Sequence, residues 1–591
     1  MRILLILLLC ICNSIFSQED IVAAEYFKNG DFEKALISYQ RLYNKSPNNN
    51  TYLVHLVKSH QQLENFQEAE TLLINQIPKF NYPPLLIELG YNYQLQNKLS
   101  DAEIYYHRAL ETINENPNYV FSVGQAFEDK SLLEHAITAY EKAMTLRPEL
   151  NFNVQLARIY GEQGNVSKMF ESYLDFVQLN EGYKNTIKRA FSEFISEDSN
   201  NENNIILRRL LLKKIQSDQS LLWNEMLSWL FVQQKEYNKA FTQEKAIFFR
   251  QPESLDRIEE LAQIATADKA YETALNIFTY LTETAQDLDT LLKAHHYLLD
   301  IKTQMSTPTD YPAISSAYQD VFSSFGKQTQ TLQIQISYAH FLAFYKYNTQ
   351  DAISFLKQSL EMPLNTFQEA QVKMELGDIL VLEEKFNEAL IYYTQIQRNL
   401  KNSTLAQEAR FKVAQTSYYK GDFKWAESQL KILKTSTSQL IANDALDLML
   451  LITDNKYEDS TQTALKLYAK ADLMAYQNRT ADAIALLDVV LNEHRGKTIE
   501  DQALFKQAQL FEKTKEYLKA ENNYINIIVN FSDDILADDA HFYLAELYRT
   551  KLNQPEKAQD HYGKIIFNYQ DSIFFVEARK NYRMLRGDAI D

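Results

Sequence analysis

A small residue returns at nearly fixed intervals along this chain, and that spacing limits the possible folds more than any other feature. Ala35, Ala69, Ala102 and Ala136 follow one another at steps of 34, 33 and 34 residues. Each sits in the same setting. Gly30-Asp31-Phe32-Glu33-Lys34 precedes Ala35, and Leu36, Tyr39, Leu42 and Pro47 follow it. Gly30-Asp31 predicts a tight turn. Ala35 opens a helix whose small side chain lets a neighbouring helix approach, and Tyr39 and Leu42 fall on one face of it. Pro47 stops the unit. Asn65-Phe66-Gln67-Glu68 stands before Ala69, Ala102 leads Tyr106 and Ala109, and Ala136 leads Tyr140, Ala143 and Pro148. Such a helix–turn–helix unit buries only part of its apolar face by itself, so units must stack to complete a core. A chain of 591 residues is too long for one compact core and suits a stacked array. Only 12 Gly and 11 Pro are present, so helices have few breaks.

A period near 34 with this punctuation is that of the tetratricopeptide repeat, and the chain resembles that family. Leu89-Gly90 and Tyr93 match the first-helix part of its pattern; Ala102, Tyr106 and Ala109 match the second. The resemblance implies an all-α fold, a right-handed solenoid of antiparallel helix pairs. Met169 with Tyr173 continues the series. Ala240, after Lys235-Glu236-Tyr237, resumes it with Pro252 closing, and Ala274 follows with Phe278 and Leu281. The gap from Met169 to Ala240 leaves room for one pair around Tyr183–Ile215. Within it the polar run Ser196–Asn204 reads as an exposed loop. The gap from Ala274 to Ala352 fits another pair near Ala313.

The second half has a longer step. Ala352, Ala389 and Ala426 are 37 apart, as are Ala483 and Ala520, and Ala558 comes 38 later. Leu376-Gly377, Phe386-Asn387-Glu388-Ala389 with Tyr393, and Gly421-Asp422-Phe423-Lys424-Trp425-Ala426 are its clear members. The last third, ending Phe567-Asn568-Tyr569-Gln570-Asp571-Ser572, Ala578-Arg579 and Leu585-Arg586-Gly587-Asp588, resembles periplasmic repeat proteins of Gram-negative envelope assembly and the Tol–Pal-associated proteins. Those carry Pro where Gln570 stands. One step is out of phase: Ala426 to Ala483 is 57. The surplus is the apolar stretch Gln439–Thr453, so an extra helix and a bend are expected near 439–459. The expected organisation is a signal segment over 1–17, arrays over 18–285 and 286–437, the extra helix at 438–459, a third array over 460–570, and a capping helix with tail over 571–591.

The N-terminus reads as a secretory signal. Arg2 precedes the apolar run Ile3–Ile11, and Asn13–Gln18 supplies a polar end with Ser17 before a plausible cut. The run is too short to span a bilayer, which takes about 20 residues. Cys10 and Cys12, the only cysteines, lie inside it. Leu9 and Ile11 before them are not the small residues of a lipoprotein signal, so cleavage near Ser17 is expected instead of lipidation. Export to the periplasm or cell envelope follows. The net charge is −18, which argues against nucleic acid as a partner. It serves either the solubility of a long surface or attraction to basic partners.

No phosphate-cradling glycine loop, His-Glu-x-x-His or Gly-x-Ser-x-Gly occurs. The ten histidines are scattered. No catalytic residue, metal ligand or cofactor is assigned. The reading is a non-catalytic scaffold binding proteins or peptide segments. A glycan- or peptidoglycan-binding repeat protein and a helical-repeat envelope enzyme are the alternatives. Fifteen places before Ala426, Ala483, Ala520 and Ala558 stand Phe411, Tyr468, Phe505 and Tyr543, expected on or beside the concave face. One turn further come Gln415, Asp472, Gln509 and Leu547. An aromatic row beside amides and a carboxylate suits an extended peptide; the same rings suit packing between helices.

Overall fold

The computed structural model describes residues 19–401, 403–434, 438–456 and 461–588. The signal-like segment, with Cys10, Cys12 and Ser17, lies outside them. All regular elements among the described residues are helices. They form two compact units, one through Gln234 and one from Lys235.

The first unit opens with a helix over 19–28 and runs through short antiparallel pairs. The helices Pro84–Leu95 and Leu99–Glu115 show what joins a pair. Tyr106 of the second lies flat on Gly90 of the first, so close that a Cβ at Gly90 would stand 2.5 Å from Tyr106 Cε1. The Tyr106 hydroxyl donates to Gln94 Oε1 at 2.8 Å, near the end of the first helix. Gly124 and Tyr140 repeat the contact at 2.5 Å, and the Tyr140 hydroxyl donates to Glu128. The Leu-Gly and Ala-x-x-x-Tyr signatures are therefore two halves of one contact. Every alanine of the spaced series from Ala35 to Ala558 is at most 1% exposed, as close approach of neighbouring helices requires.

The turn inside each pair is also repeated. One residue takes a left-handed conformation: Gly30, Glu64, Asn97 and Ser131 in the first four pairs. The residue after it donates its N–H back to a carbonyl five residues earlier, as Lys98 does to Tyr93 at 3.0 Å, closing the first helix. Non-glycine residues hold this turn at most of its occurrences, which is why glycine alone does not mark the repeats.

The pair expected around Tyr183–Ile215 is Lys184–Ser192 with Glu202–Ser217. Its polar connection is not wholly exposed. Asn204 is fully buried, and its amide donates to the carbonyls of Ser196 and Asp198. The asparagine is the internal peg of the loop, because buried carbonyls need donors.

In the second unit, Leu288–Met305 and Tyr311–Phe325 fill the place expected near Ala313. Then come α1 (Leu332–His340), a π-helical turn (Phe341–Tyr345), α2 (Thr349–Ser359), α3 (Thr366–Leu382), α4 (Phe386–Asn399), α5 (Thr404–Tyr419) and α6 (Phe423–Leu433). The out-of-phase step is one extra helix, α7 (Gln439–Asn455), which packs chiefly on α6. The pairs resume with α8 (Thr463–Tyr476), α9 (Thr480–Glu493), α10 (Ile499–Lys513), α11 (Tyr517–Asn530), α12 (Ala537–Thr550) and α13 (Pro555–Asn568). The last helix is α14 (Phe575–Arg586), packed on α13. First helices lie side by side: α3 on α5, α5 on α8, α8 on α10.

Because Tyr106 has no room to retreat from Gly90, Gly90→Ala should destabilise the first unit by about 1–3 kcal/mol. Urea unfolding followed by circular dichroism measures it. An unchanged midpoint would show that the ring moves aside freely.

Candidate functional site

The side-by-side first helices α5, α8 and α10 expose one polar strip each. On α5, Val413, Ala414, Ser417 and Tyr418 are buried, which leaves Gln415 and Tyr419, four apart, on another face. On α8, Leu465, Tyr468 and Ala469 are buried, and Asp472 and Tyr476 share the corresponding face. On α10, Lys506, Gln509, Leu510 and Lys513 follow helical spacing. These residues, with Ala475, enclose a groove of about 450 Å³.

The electrostatics of the groove centre on Asp472. Its Oδ1 lies 2.5 Å from Lys506 Nζ. Burial, and then the Asp472 charge, push the hydroxyls of Tyr418, Tyr419 and Tyr468 well above the ordinary tyrosine range, so these rings stay neutral donors. Lys513 Nζ donates to Asn478 Oδ1 at 2.9 Å. The side-chain amides of Gln415 and Gln509 make no hydrogen bond with any described residue. Two amides, each able to donate and accept, thus line one cavity beside a half-buried ion pair.

The sequence-derived residues divide. Gln415, Asp472 and Gln509 come together in the groove. The aromatic positions turn into helix packing. Tyr468 is 6% exposed. Phe411 is half-buried against the core around α6 and α8. Phe505 meets Tyr524 and Tyr543 edge-on, with centroids 5.8 and 5.5 Å apart, and Tyr543 meets Phe574 at 5.9 Å. Leu547 is buried. Sequence reasoning missed Tyr419, Tyr476 and Lys513. They stand four residues beyond Gln415, Asp472 and Gln509, so one more helical turn would have reached them.

A second cavity, about 790 Å³, was not foreseen. The extra helix α7 supplies Asp447, Leu450, Leu451 and Asp454 to its wall. The segment entering α12 supplies Asp533, Asp534, Asp538 and Asp539, and the turn before α14 supplies Asp571. Among the described residues, seven aspartates line it, with Phe505 and Leu536, and no lysine or arginine does. Burial first, then the charges of Asp538 and Asp447, pushes the Asp539 carboxyl up to about 7. Asp501, buried nearby, is pushed up to about 6 by burial and by Asp534 and Asp454. Among the described residues no group of three His, Cys, Asp or Glu has the geometry to hold a metal ion. No described helix is long and apolar enough to cross a membrane.

The comparison with known families agrees with the repeat geometry over one helix pair. The tetratricopeptide-repeat family pattern matches residues 539–572, which span most of α12 and all of α13. No curated protein matches the chain in sequence at a significant level. Among solved structures, the chain is similar to one of Naa15/Naa10 bound to HypK-THB. Identity is 11%, coverage 97% of this chain and 94% of that one, and the TM-score 0.29. It is similar also to the APC/C hetero-tetramer Cut9–Hcn1, at 12% identity, 96% coverage of each chain and a TM-score of 0.25. Yeast Tom70 matches at 15% identity, over 84% of this chain and 98% of that one, with a TM-score of 0.29. Scores this low leave the fold resting on the chain's own geometry: an all-α array of tetratricopeptide-type helix pairs.

The raised aspartates set a pH dependence. A carboxyl whose folded-state value is raised favours the protonated folded form, so stability falls as pH climbs from about 4 to about 7. Asp539→Asn removes that loss. Its melting temperature should match the parent's near pH 4 and exceed it at pH 8, as thermal scans across this range would register. A gain of equal size at both pH values would show that charge is not the cause.

Proposed function

We propose that this chain is a non-catalytic scaffold, exported to the cell envelope, that binds other proteins by holding an extended peptide segment across α5, α8 and α10. The observation that carries this reading is the pair of unengaged amides, Gln415 and Gln509, in one groove. An extended peptide offers a row of N–H and C=O groups, and side-chain amides match both. Tyr419 and Tyr476 offer ring area beside them, as peptide sites generally require. The export part rests on the Arg2–Gln18 signal pattern, and the envelope part on the resemblance of the last third.

A basic segment in the same partner is favoured by the aspartate cavity. Seven carboxylates with no lysine or arginine among the described lining residues repel one another, and a cationic ligand would relieve that repulsion. Salt should accordingly weaken the complex.

Two measurements test the proposal. A partner is first identified by pull-down from envelope extracts with mass spectrometry. The double variant Gln415→Ala/Gln509→Ala should then lose about tenfold or more in affinity for it, about 1–3 kcal/mol, with an unchanged melting temperature. Full affinity in the double variant would place the binding surface elsewhere. N-terminal sequencing of the exported protein should find a start just after Ser17. Retention of Cys10 or Cys12 with attached acyl chains would instead make it a lipoprotein.

A further inference from the structure

The turn between α8 and α9 reaches far back along the chain. The Tyr476 hydroxyl donates to the Asp378 carbonyl at 3.4 Å, across 98 positions. Gln477 Nε2 donates to the Leu382 carbonyl at 3.0 Å and lies 3.3 Å from Glu384 Oε1. Asn478 Nδ2 donates to the Phe344 carbonyl at 3.5 Å, across 134 positions. The rings of Phe344 and Tyr476 meet edge-on at 5.8 Å. Two of the carbonyl acceptors, those of Leu382 and Phe344, share one setting. Leu382 ends α3, and Phe344 sits in the π-helical turn, so both present carbonyls at places where intrahelical donors run out.

One irregular backbone element lies at the same place. The π-helical turn occupies Phe341–Tyr345. Tyr347, in a left-handed conformation, is 67% exposed. Glu384 and Asn478 are the left-handed residues of the regular turns inside their own pairs. A cavity of about 680 Å³ remains beside the contact, lined by Phe344, Tyr347, Leu382, Glu383, Glu384 and Asn478, among others. A core interface would fill such a space. Leu473 and Tyr476 on α8 pack into the core of the preceding helices, whereas Asn478 beyond them is exposed, and the amide–carbonyl bonds at this tip are the kind that opens locally without unfolding a domain.

The turn also shapes the groove. Tyr476 lines the groove, and the Asn478 side chain that donates to Phe344 accepts from Lys513, another groove residue. One asparagine thus ties the π-helical turn to the end of α10. The extra helix α7 accompanies this arrangement: it stands between α6 and α8 in sequence, while α8 packs on α5.

We infer that the α8–α9 turn is a releasable clasp whose closure couples the π-helical turn to the groove on α5, α8 and α10. Closed, it seats Tyr476 and Lys513 at the groove wall. Open, it frees both, along with the carbonyls of Leu382 and Phe344. Its role in controlling ligand binding rests on the groove reading; the clasp itself does not.

Hydrogen–deuterium exchange on the full chain without any ligand tests the clasp, so its outcome is independent of whether the groove binds a peptide. Two variants are compared with the parent. Gln477→Ala with Asn478→Ala removes the amide donors. Gln477→Glu keeps the size of the side chain but sets a carboxylate against Glu384 and the Leu382 carbonyl. Both should raise exchange at least tenfold in segments 341–349 and 506–513, while Pro84–Leu95 and Leu99–Glu115 exchange as before. Unchanged exchange in either segment would overturn the coupling. A uniform rise in every helix from 366 to 586 would also overturn it, because the turn would then be ordinary core packing.

Discussion

The contact of a second-helix tyrosine with a first-helix glycine or small residue is the constraint on which the architecture depends. A helix of 11–17 residues is barely stable alone in water. It persists because a ring from its partner covers it and a buried alanine lets the next helix come close. The tyrosine hydroxyl then finds an acceptor near the end of the first helix, as Tyr393 does at Asp378 and Tyr524 at Glu512. Each ring is thereby fixed in both position and depth. Where the repeat carries the tyrosine, as at Tyr106, Tyr140, Tyr393 and Tyr524, packing and hydrogen bonding agree, and such agreement across levels is what specifies one fold.

That agreement explains why so much of the fold was legible. The alanine spacing is a local property, and each occurrence repeats the same physics within about 35 residues. Even the break in phase was legible: α7 spans Gln439–Asn455, where surplus apolar residues had no partner in the repeat count. The degenerate pair Lys184–Ser192 and Glu202–Ser217 was located by arithmetic alone. Its loop was misread because composition does not reveal that Asn204 turns inward to satisfy carbonyls.

The site was legible only in part, for a related reason. A position in a repeat fixes which face of a helix a residue occupies. It does not fix how deep that face lies once the neighbouring pair has stacked. Phe411, Tyr468, Phe505 and Tyr543 hold equivalent places, yet Tyr468 is almost wholly covered while Phe505 also borders the aspartate cavity. The polar residues one turn later, Gln415, Asp472 and Gln509, stay at the wall of one groove. An exposed glutamine with no partner costs nothing to leave in water, whereas a large ring on a stacked helix gains by being covered.

The aspartate cavity and the long-range turn both join segments far apart in sequence, which no repeat pattern contains. The cavity draws one wall from α7, a helix outside the period. Asp447 and Asp454 are unremarkable in an acidic chain. They acquire meaning because α7 is free of the pairing that governs its neighbours and presents them to Asp534 and Asp539, about 80–90 positions away. Likewise Tyr476-Gln477-Asn478 occupies an ordinary inter-helix turn. Its side chains reach past α5, on which α8 packs, to Asp378, Leu382 and Phe344. In a strictly periodic array each pair meets its neighbours alone. Here contacts between distant pairs add two features to the stack: a cavity rich in carboxylates, walled in part by α7, and a turn that joins sites 134 positions apart.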